Sequence, residues 1–170
     1  MPAHSLDLVL SPASDDLIRS RWAALHEAGL PSLATHRGAS NAPHITALST
    51  PALPEHVLDR AREVFSTLLP CSVDVPGLLV LGHGPFVLAE SVIVSPGVTE
   101  AVRELERIAA EYRPQARPWV PHLTLGKRLT AAQVGEALDV LADVPTPRTV
   151  EVTGLRRWDP EHRVTAMVVG

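Results

Sequence analysis

The sequence predicts an α+β fold made of two similar lobes. Amphipathic helical stripes alternate along the chain with short runs that have the character of β-strands. A Pro-His-apolar-Thr-apolar pattern occurs twice, at 43–47 and 121–125. The order helix, His-x-Thr strand, helix, strand, strand also occurs twice, over about 14–95 and 96–169. We therefore expect residues 1–170 to form a single bilobal domain, arranged about a pseudo-twofold axis.

The first half begins with a predicted strand at 6–10, followed by a helix. The apolar residues of this helix recur at helical spacing: Leu17, Ile18, Trp22 and Leu25. Ser14 or Asp15 is the predicted N-cap, and Gly29 marks the C-terminal end. A polar loop then leads into the first motif strand, expected at 43–48.

The next segment predicts one helix and then strand-rich chain. After Pro51, an apolar stripe indicates an amphipathic helix that ends before Pro70. The stripe consists of Val57, Leu58, Ala61, Val64, Phe65, Leu68 and Leu69. Residues 71–81 are β-rich, 82–85 form a turn, and 86–94 is the returning strand.

The second half opens with a clear helix start. Ser95 followed by Pro96 predicts a capping residue and a proline in the first helical turn. The second motif strand is expected at 119–126, after a loop. Residues 130–133 have the form of a capping box, which predicts a fourth helix. Two predicted strands close the chain, at 148–157 and 162–169.

The repeated motif predicts chemistry as well as structure. Residues two apart in a strand point to the same face, so His44 lies with Thr46, and His122 lies with Thr124. If both strands face one cleft, two imidazoles and two hydroxyls converge there. Two histidines on opposite walls form a general acid and base pair near neutral pH, and the hydroxyls can hold phosphoryl oxygens. This set predicts phosphodiester cleavage or transesterification without a metal ion.

The two motifs and the element order resemble the 2H phosphoesterase superfamily, which includes bacterial 2′-5′ RNA ligase-like proteins and cyclic phosphodiesterases. The segment 84–86, which leads into an apolar strand, is also similar to that family. The resemblance implies a bilobal α+β fold in which two antiparallel sheets line a central cleft with helices outside. It implies metal-independent opening of 2′,3′-cyclic phosphates of nucleotides or RNA ends, with no cofactor.

The resemblance also implies roles for the motif residues. His44 and His122 would be the catalytic acid–base pair, and Thr46 and Thr124 would contact the substrate phosphate. The pseudo-symmetry makes the two histidines nearly interchangeable in sequence. Which one is the acid and which the base therefore stays open at this point.

Further candidates for phosphate binding flank the motif strands. Arg37 and His36 precede the first strand, and Lys127 and Arg128 follow the second. Strand alternation favours Arg128 over Lys127 for the motif face. By the same alternation, Trp119 points away from the motif face, so we expect it to pack between the lobes rather than stack on a base.

Composition narrows the class of partner. The net charge is -4, which argues against a surface that grips duplex or long nucleic acid by its phosphates. Cys71 is the only cysteine, so the chain has no internal disulfide or cysteine zinc cluster. Aromatic residues make up 4%, so the core must be mainly aliphatic. With no signal peptide or membrane span in the sequence, we expect a monomeric cytoplasmic protein whose partner is a small nucleotide or an RNA terminus.

Three alternatives stay open. The first is 2′-5′ RNA ligation, although joining long RNA favours a basic track that an acidic chain lacks. The second is a non-catalytic protein that binds nucleotides or phosphate, although a pure binder has no need of both histidines. The third is a metal site, which is weak because neither motif supplies a third ligand from Asp, Glu or Cys.

Overall fold

Two antiparallel sheets and four α-helices are present in the computed structural model, which describes residues 3–36, 38, 40–113 and 118–170. The strands are β1 (His4–Leu10), β2 (His44–Thr50), β3 (Cys71–Asp74), β4 (Leu78–Leu81), β5 (Phe86–Ser91), β6 (His122–Leu129), β7 (Thr149–Asp159) and β8 (Val164–Val169). The helices are α1 (Pro12–Glu27), α2 (Glu55–Ser66), α3 (Pro96–Ile108) and α4 (Ala131–Ala142). The predicted α+β class with two antiparallel sheets is confirmed.

Each sheet takes strands from both halves of the chain. The larger sheet has the order β2-β1-β7-β3, and β8 pairs with the far end of β7. The smaller sheet has the order β4-β5-β6. Strands β7 and β8 therefore join the sheet of the first motif, while β4 and β5 join that of the second. The stretches 14–95 and 96–169 do not build one sheet each, and their division of the chain into lobes stays a prediction.

Strand pairing places the repeat differently from the sequence. In one unit, β1 leads through α1 to its antiparallel partner β2, and in the other β5 leads through α3 to β6. Val9 pairs with His44, and Ser91 pairs with His122, so the two motifs have the same register. The strand before each helix is therefore part of the repeat. The order of elements along the chain allows the repeat to begin at several different elements. The strand pairing is what indicates that each repeat begins with the strand before the helix.

The helices that connect these strands contact the opposite motif strand. Helix α1 contacts β6 and α4, whereas α3 contacts β2 and α2. Helix α1 buries Ile18, Trp22 and Leu25 of its predicted stripe, while Leu17 is exposed. Helix α3 buries Val102 and Leu105. The buried core is mainly aliphatic. This exchange of helices joins the two sheets through one continuous core.

Helix N-termini follow the Ser-Pro and capping-box signals. The hydroxyl of Ser95 caps α3, and residues 130–133 form the predicted capping box of α4. The predicted cap of α1 at Ser14 or Asp15 is wrong: Ser11 caps this helix and Pro12 is its first residue. The same Ser-Pro rule that identified α3 applies there. Within the described part of the chain, none of the helices combines the length and apolar character needed to cross a bilayer.

Candidate active site

The two motif strands are edge strands that contact each other. Strand β2 ends the larger sheet, and β6 ends the smaller one. Edge strands leave backbone groups without a ladder partner, and buried groups of this kind need another one. The Trp119 indole donates a hydrogen bond of 2.8 Å to the Thr46 carbonyl. The Trp22 indole donates one of 2.9 Å to the Thr124 carbonyl. Each motif is thus bound by an indole from the other half of the chain.

Sequence reasoning did not predict the hydrogen bond between Trp22 and the Thr124 carbonyl. Trp119 contacts the other half of the chain, as the predicted packing role requires, but it precedes β6, so strand alternation does not turn it away from His122. Trp22 was predicted only as part of an apolar helical stripe, because the pattern shows which face of a helix is buried and not what its indole N–H meets. A buried indole normally requires an acceptor, and that requirement was the available signal.

Both motif histidines are held in the same way. Nδ1 of His44 lies 2.7 Å from the carbonyl oxygen of Ala42, and Nδ1 of His122 lies 2.7 Å from that of Val120. A carbonyl oxygen only accepts, so Nδ1 carries the proton and Nε2 of the neutral ring is the basic nitrogen. In each motif a proline separates the two residues and favours an extended backbone before it. Both rings are partly exposed, so solvent reaches them.

A buried carboxylate lies beside the first motif. Asp7 in β1 is only 3% exposed, and its Oδ1 accepts a hydrogen bond of 3.2 Å from the Thr46 hydroxyl. Nε2 of His44 is 4.0 Å from the same oxygen. Nη2 of Arg156 in β7 is 3.5 Å from Oδ2. A buried carboxylate is stable only with such partners.

Sequence reasoning missed both Asp7 and Arg156. They are 149 positions apart, so no local pattern connects them. The available signal was an acidic residue within the apolar strand at 6–10, which demands a partner when the strand is buried.

Two cavities flank the motif strands. The first, which we call the Trp119 cavity, has a volume of about 400 Å³ and is mainly apolar. Its lining includes Thr46, Leu48, Leu81, Trp119, Val120 and His122, together with the ion pair of Arg113 and Glu106. Thr46 of one motif and His122 of the other therefore line a single cavity. The structure brings these two predicted site residues together.

The second cavity, which we call the Arg156 cavity, is more polar and measures about 320 Å³. His44, Asp7 and Arg156 line it. Its other lining residues are Ser5, Leu33, His36, Ser40, Asn41, Lys127 and Trp158. The predicted candidate His36 therefore lines the same cavity as His44, whereas His122 lines the Trp119 cavity. Arg37, the other candidate in this loop, lies outside the described residues.

Two bulges change the alternation in β6. In the pairing with β5, Leu125 and Arg128 are left without partners. Lys127, and not the predicted Arg128, therefore lines the cavity that contains His44. Arg128 is exposed and has a left-handed φ of 64°. The strand continues past Gly126, where a Cβ would lie 2.3 Å from the Pro31 carbonyl oxygen, so only glycine fits there.

One group of three candidate metal ligands occurs among the described residues, and it lies outside the motifs. Asp159, Glu161 and His162 are close together in the turn between β7 and β8. Nδ1 of His162 is 2.9 Å from Oδ2 of Asp159. This hydrogen bond lowers the pKa of Asp159 to about 2 and raises the pKa of His162. The contact joins the two ends of the turn.

The fold and the duplicated His-x-Thr edge strands define a 2H phosphoesterase-type protein. The family model described as the 2′-5′ RNA ligase superfamily matches residues 13–163. The chain belongs to that superfamily, and the resemblance seen in the sequence is confirmed. No curated protein matches the chain.

Solved structures share the fold at low sequence identity. TT0787 of Thermus thermophilus is 16% identical with a TM-score of 0.59, covering 98% of this chain and 94% of its own. LigT of E. coli complexed with 3′-AMP is 16% identical with a TM-score of 0.56, covering 96% and 92%. Usb1 of Kluyveromyces marxianus with uridine monophosphate is 14% identical with a TM-score of 0.54, covering 99% and 98%.

Proposed function

We propose that this protein is a metal-independent phosphoesterase that opens 2′,3′-cyclic phosphates of nucleotides or RNA ends. The observation that carries the proposal is the matched pair of imidazoles on adjacent edge strands. Nδ1 of His44 and Nδ1 of His122 each bind a backbone carbonyl, which leaves both Nε2 atoms for proton transfer. Membership of the 2′-5′ RNA ligase superfamily supports the same chemistry.

The surroundings of the two rings favour His44 as the general acid. Its Nε2 is 4.0 Å from the Asp7 carboxylate, and an imidazolium is attracted by a negative charge at that distance. Within the described residues, no carboxylate comes within 4.0 Å of a ring nitrogen of His122. We therefore assign the general base to His122.

The proposed step follows from these roles. His122 takes a proton from water, and the water oxygen forms a bond to phosphorus. The bond from phosphorus to one ribose oxygen breaks, and that oxygen takes the proton of His44. Both rings then return to their starting states by exchange with solvent. Water supplies the nucleophile, so the scheme needs no covalent intermediate and no cofactor.

The Trp119 cavity is the proposed site for the nucleoside. It is mainly apolar, its volume of about 400 Å³ is in the range of small-ligand sites, and it adjoins His122. Trp119 is partly exposed in this cavity, so besides packing between the halves its indole offers a stacking surface, a role that the strand alternation argued against. Stacking on an aromatic ring accepts any of the bases. The nucleoside monophosphates present in the LigT and Usb1 structures support a ligand of this size.

Turnover of 2′,3′-cyclic nucleotides in the presence of EDTA tests the proposal. We expect His44→Ala and His122→Ala each to lower kcat by about 100- to 10,000-fold, the usual contribution of a general acid or base. His26→Ala, which removes an exposed histidine of α1, is the matched control and should retain activity. Undiminished turnover by the double variant of His44 and His122 would place the chemistry elsewhere.

Ligation is the second candidate, because the superfamily is described by that reaction. RNA with a 2′,3′-cyclic phosphate end and RNA with a 5′-OH end, incubated together, would give a longer product if the reverse reaction occurs. The net charge of -4 favours hydrolysis, since it supplies no extended basic track. Nucleotide binding without either product would indicate the non-catalytic alternative.

A further inference from the structure

The two motifs have the same register but different partners. Thr46 pairs with Asp7 of β1. Thr124 pairs with Ala89 of β5. In each motif strand the residue after the threonine is left unpaired by a bulge. The two motifs are therefore equivalent in their pairing both before and after the threonine. Asp7 and Ala89 therefore occupy equivalent positions, and only one of the two motifs has a carboxylate there.

The Asp7 carboxylate is held on both sides. Arg156 approaches Oδ2 from β7 at 3.5 Å, and the Thr46 hydroxyl donates to Oδ1 at 3.2 Å. The side chain is almost completely buried, so solvent does not compete strongly for these contacts. The ion pair with Arg156 keeps Oδ1 directed at Thr46.

A threonine hydroxyl has one proton to donate. While Asp7 accepts that proton, Thr46 has only lone pairs left, and these repel the oxygens of an anionic phosphate. Ala89 cannot accept a hydrogen bond from its side chain. Among the described residues, the Thr124 hydroxyl makes no side-chain hydrogen bond, and its residue is partly exposed.

We propose that Asp7 is a positioning residue that makes the two motif threonines unequal. It keeps the Thr46 hydroxyl directed at itself, so Thr124 alone of the pair donates to the phosphoryl oxygens. The symmetrical role that the repeated motif implies for Thr46 is therefore replaced by a structural one. The kinetic test of this inference rests on the proposed function, whereas its spectroscopic test does not.

The kinetic test compares Thr46→Val with Thr124→Val on 2′,3′-cyclic AMP. We expect Thr124→Val to lower kcat/KM by about 10- to 100-fold, the scale of one hydrogen bond to a charged group. Thr46→Val should lower it by less than about threefold, because Thr46 makes no such bond to the substrate. Equal losses in the two variants, or a larger loss for Thr46→Val, would overturn the proposal.

Two changes at Asp7 separate its acceptor role from its charge. Asp7→Ala releases the Thr46 hydroxyl, so adding Thr46→Val in that background should lower kcat/KM by a further tenfold or so. Asp7→Asn keeps an acceptor oxygen, and there the added Thr46→Val should again have little effect. Matching behaviour in the two backgrounds would contradict the assignment. Circular dichroism and thermal unfolding establish that each variant folds.

The spectroscopic test needs no turnover. A hydroxyl proton bound to a buried carboxylate exchanges slowly enough to be seen by NMR, so we expect a Thr46 signal in the wild type and none from Thr124. The signal should persist in Asp7→Asn and vanish in Asp7→Ala. If no Thr46 hydroxyl signal is found in the wild type, the proposal fails, even if the protein opens cyclic phosphates.

Discussion

The guanidinium of Arg21 in α1 forms an ion pair with the carboxylate of Glu90 in β5, and both side chains are fully buried. Arg21 also donates to the backbone carbonyls of Val144 and Pro145, each at 3.3 Å. Burial raises the pKa of Glu90, and the adjacent Arg21 opposes that effect. The pair connects a helix that follows β1 to the central strand of the other sheet.

Removing one partner of this pair should destabilise the fold strongly. We expect Arg21→Met to lower the free energy of unfolding by about 3–5 kcal/mol, because Glu90 is then left buried and uncompensated. The double variant with Glu90→Leu should recover most of the loss, since Leu8 occupies the equivalent position in β1. Urea denaturation measures both effects. Arg103→Met, which breaks an exposed pair with Glu100, is the control and should change stability by less than about 1 kcal/mol.

Two glycines should respond in opposite directions to alanine. Gly126→Ala places a Cβ 2.3 Å from the Pro31 carbonyl oxygen, and we expect the resulting strain to lower stability by about 1–3 kcal/mol. Gly135→Ala is the matched control: it lies in α4, and apart from the adjacent chain of that helix no atom lies within 4 Å of the added Cβ. This change should raise stability by about 0.5–1 kcal/mol. Urea denaturation measures the stability of both variants. A Gly126→Ala protein as stable as the wild type would refute the close contact with Pro31.

The turn between β7 and β8 should give a pH-dependent contribution to stability. His162 lowers the pKa of Asp159 to about 2, so the stabilisation from the Asp159 carboxylate is present above about pH 4 and lost as the pH falls through 2. The pKa of His162 is raised, so its contribution is present below about pH 6.5 and lost as the pH rises through the higher folded value.

We therefore expect His162→Gln to lower Tm most near pH 5, and to have little effect once the histidine is deprotonated in the wild type. Thermal unfolding between pH 4 and 9 tests this, and His83→Gln, at an exposed turn, is the control. A difference between wild type and variant that does not change with pH would exclude the ionic contribution of His162.

Substrate binding should distinguish Lys127 from its neighbour. Lys127 lines the Arg156 cavity together with His44, so Lys127→Ala should raise KM for 2′,3′-cyclic AMP by about 3- to 10-fold, as a charge-assisted contact is lost. Arg128→Ala should change KM by less than about twofold. Steady-state kinetics at two salt concentrations measures both, and a larger effect at Arg128 would restore the interpretation from strand alternation.

Local patterns predicted what local physics determines. The motif strands, the helical stripes and the capping box at 130–133 can all be predicted from the sequence, because each depends on residues that are close together in the chain. The Ser-Pro signal predicts the cap of α3 at Ser95, as observed. The same signal marks the cap of α1 at Ser11, in place of the predicted Ser14 or Asp15.

The rest depends on contacts that no local window contains. The extra residue Leu125 forms a bulge that shifts the alternation of side chains by one position. The regular alternation that favours Arg128 over Lys127 therefore does not hold beyond Thr124. Asp7 meets Arg156 only because β7 joins the larger sheet beside β1. Strand order is a property of the assembled sheet, so these parts of the site required coordinates.

The exchange of strands between halves has a consequence for synthesis of the chain. The smaller sheet is complete once β6 emerges, whereas the larger sheet lacks its central strand until Thr149–Asp159 is made. Until then β1 and β2 are a two-stranded pair, which is marginally stable in isolation. We therefore expect the His122 wall to form first during synthesis, and the opposite wall to become fixed only after Thr149–Asp159 has been translated.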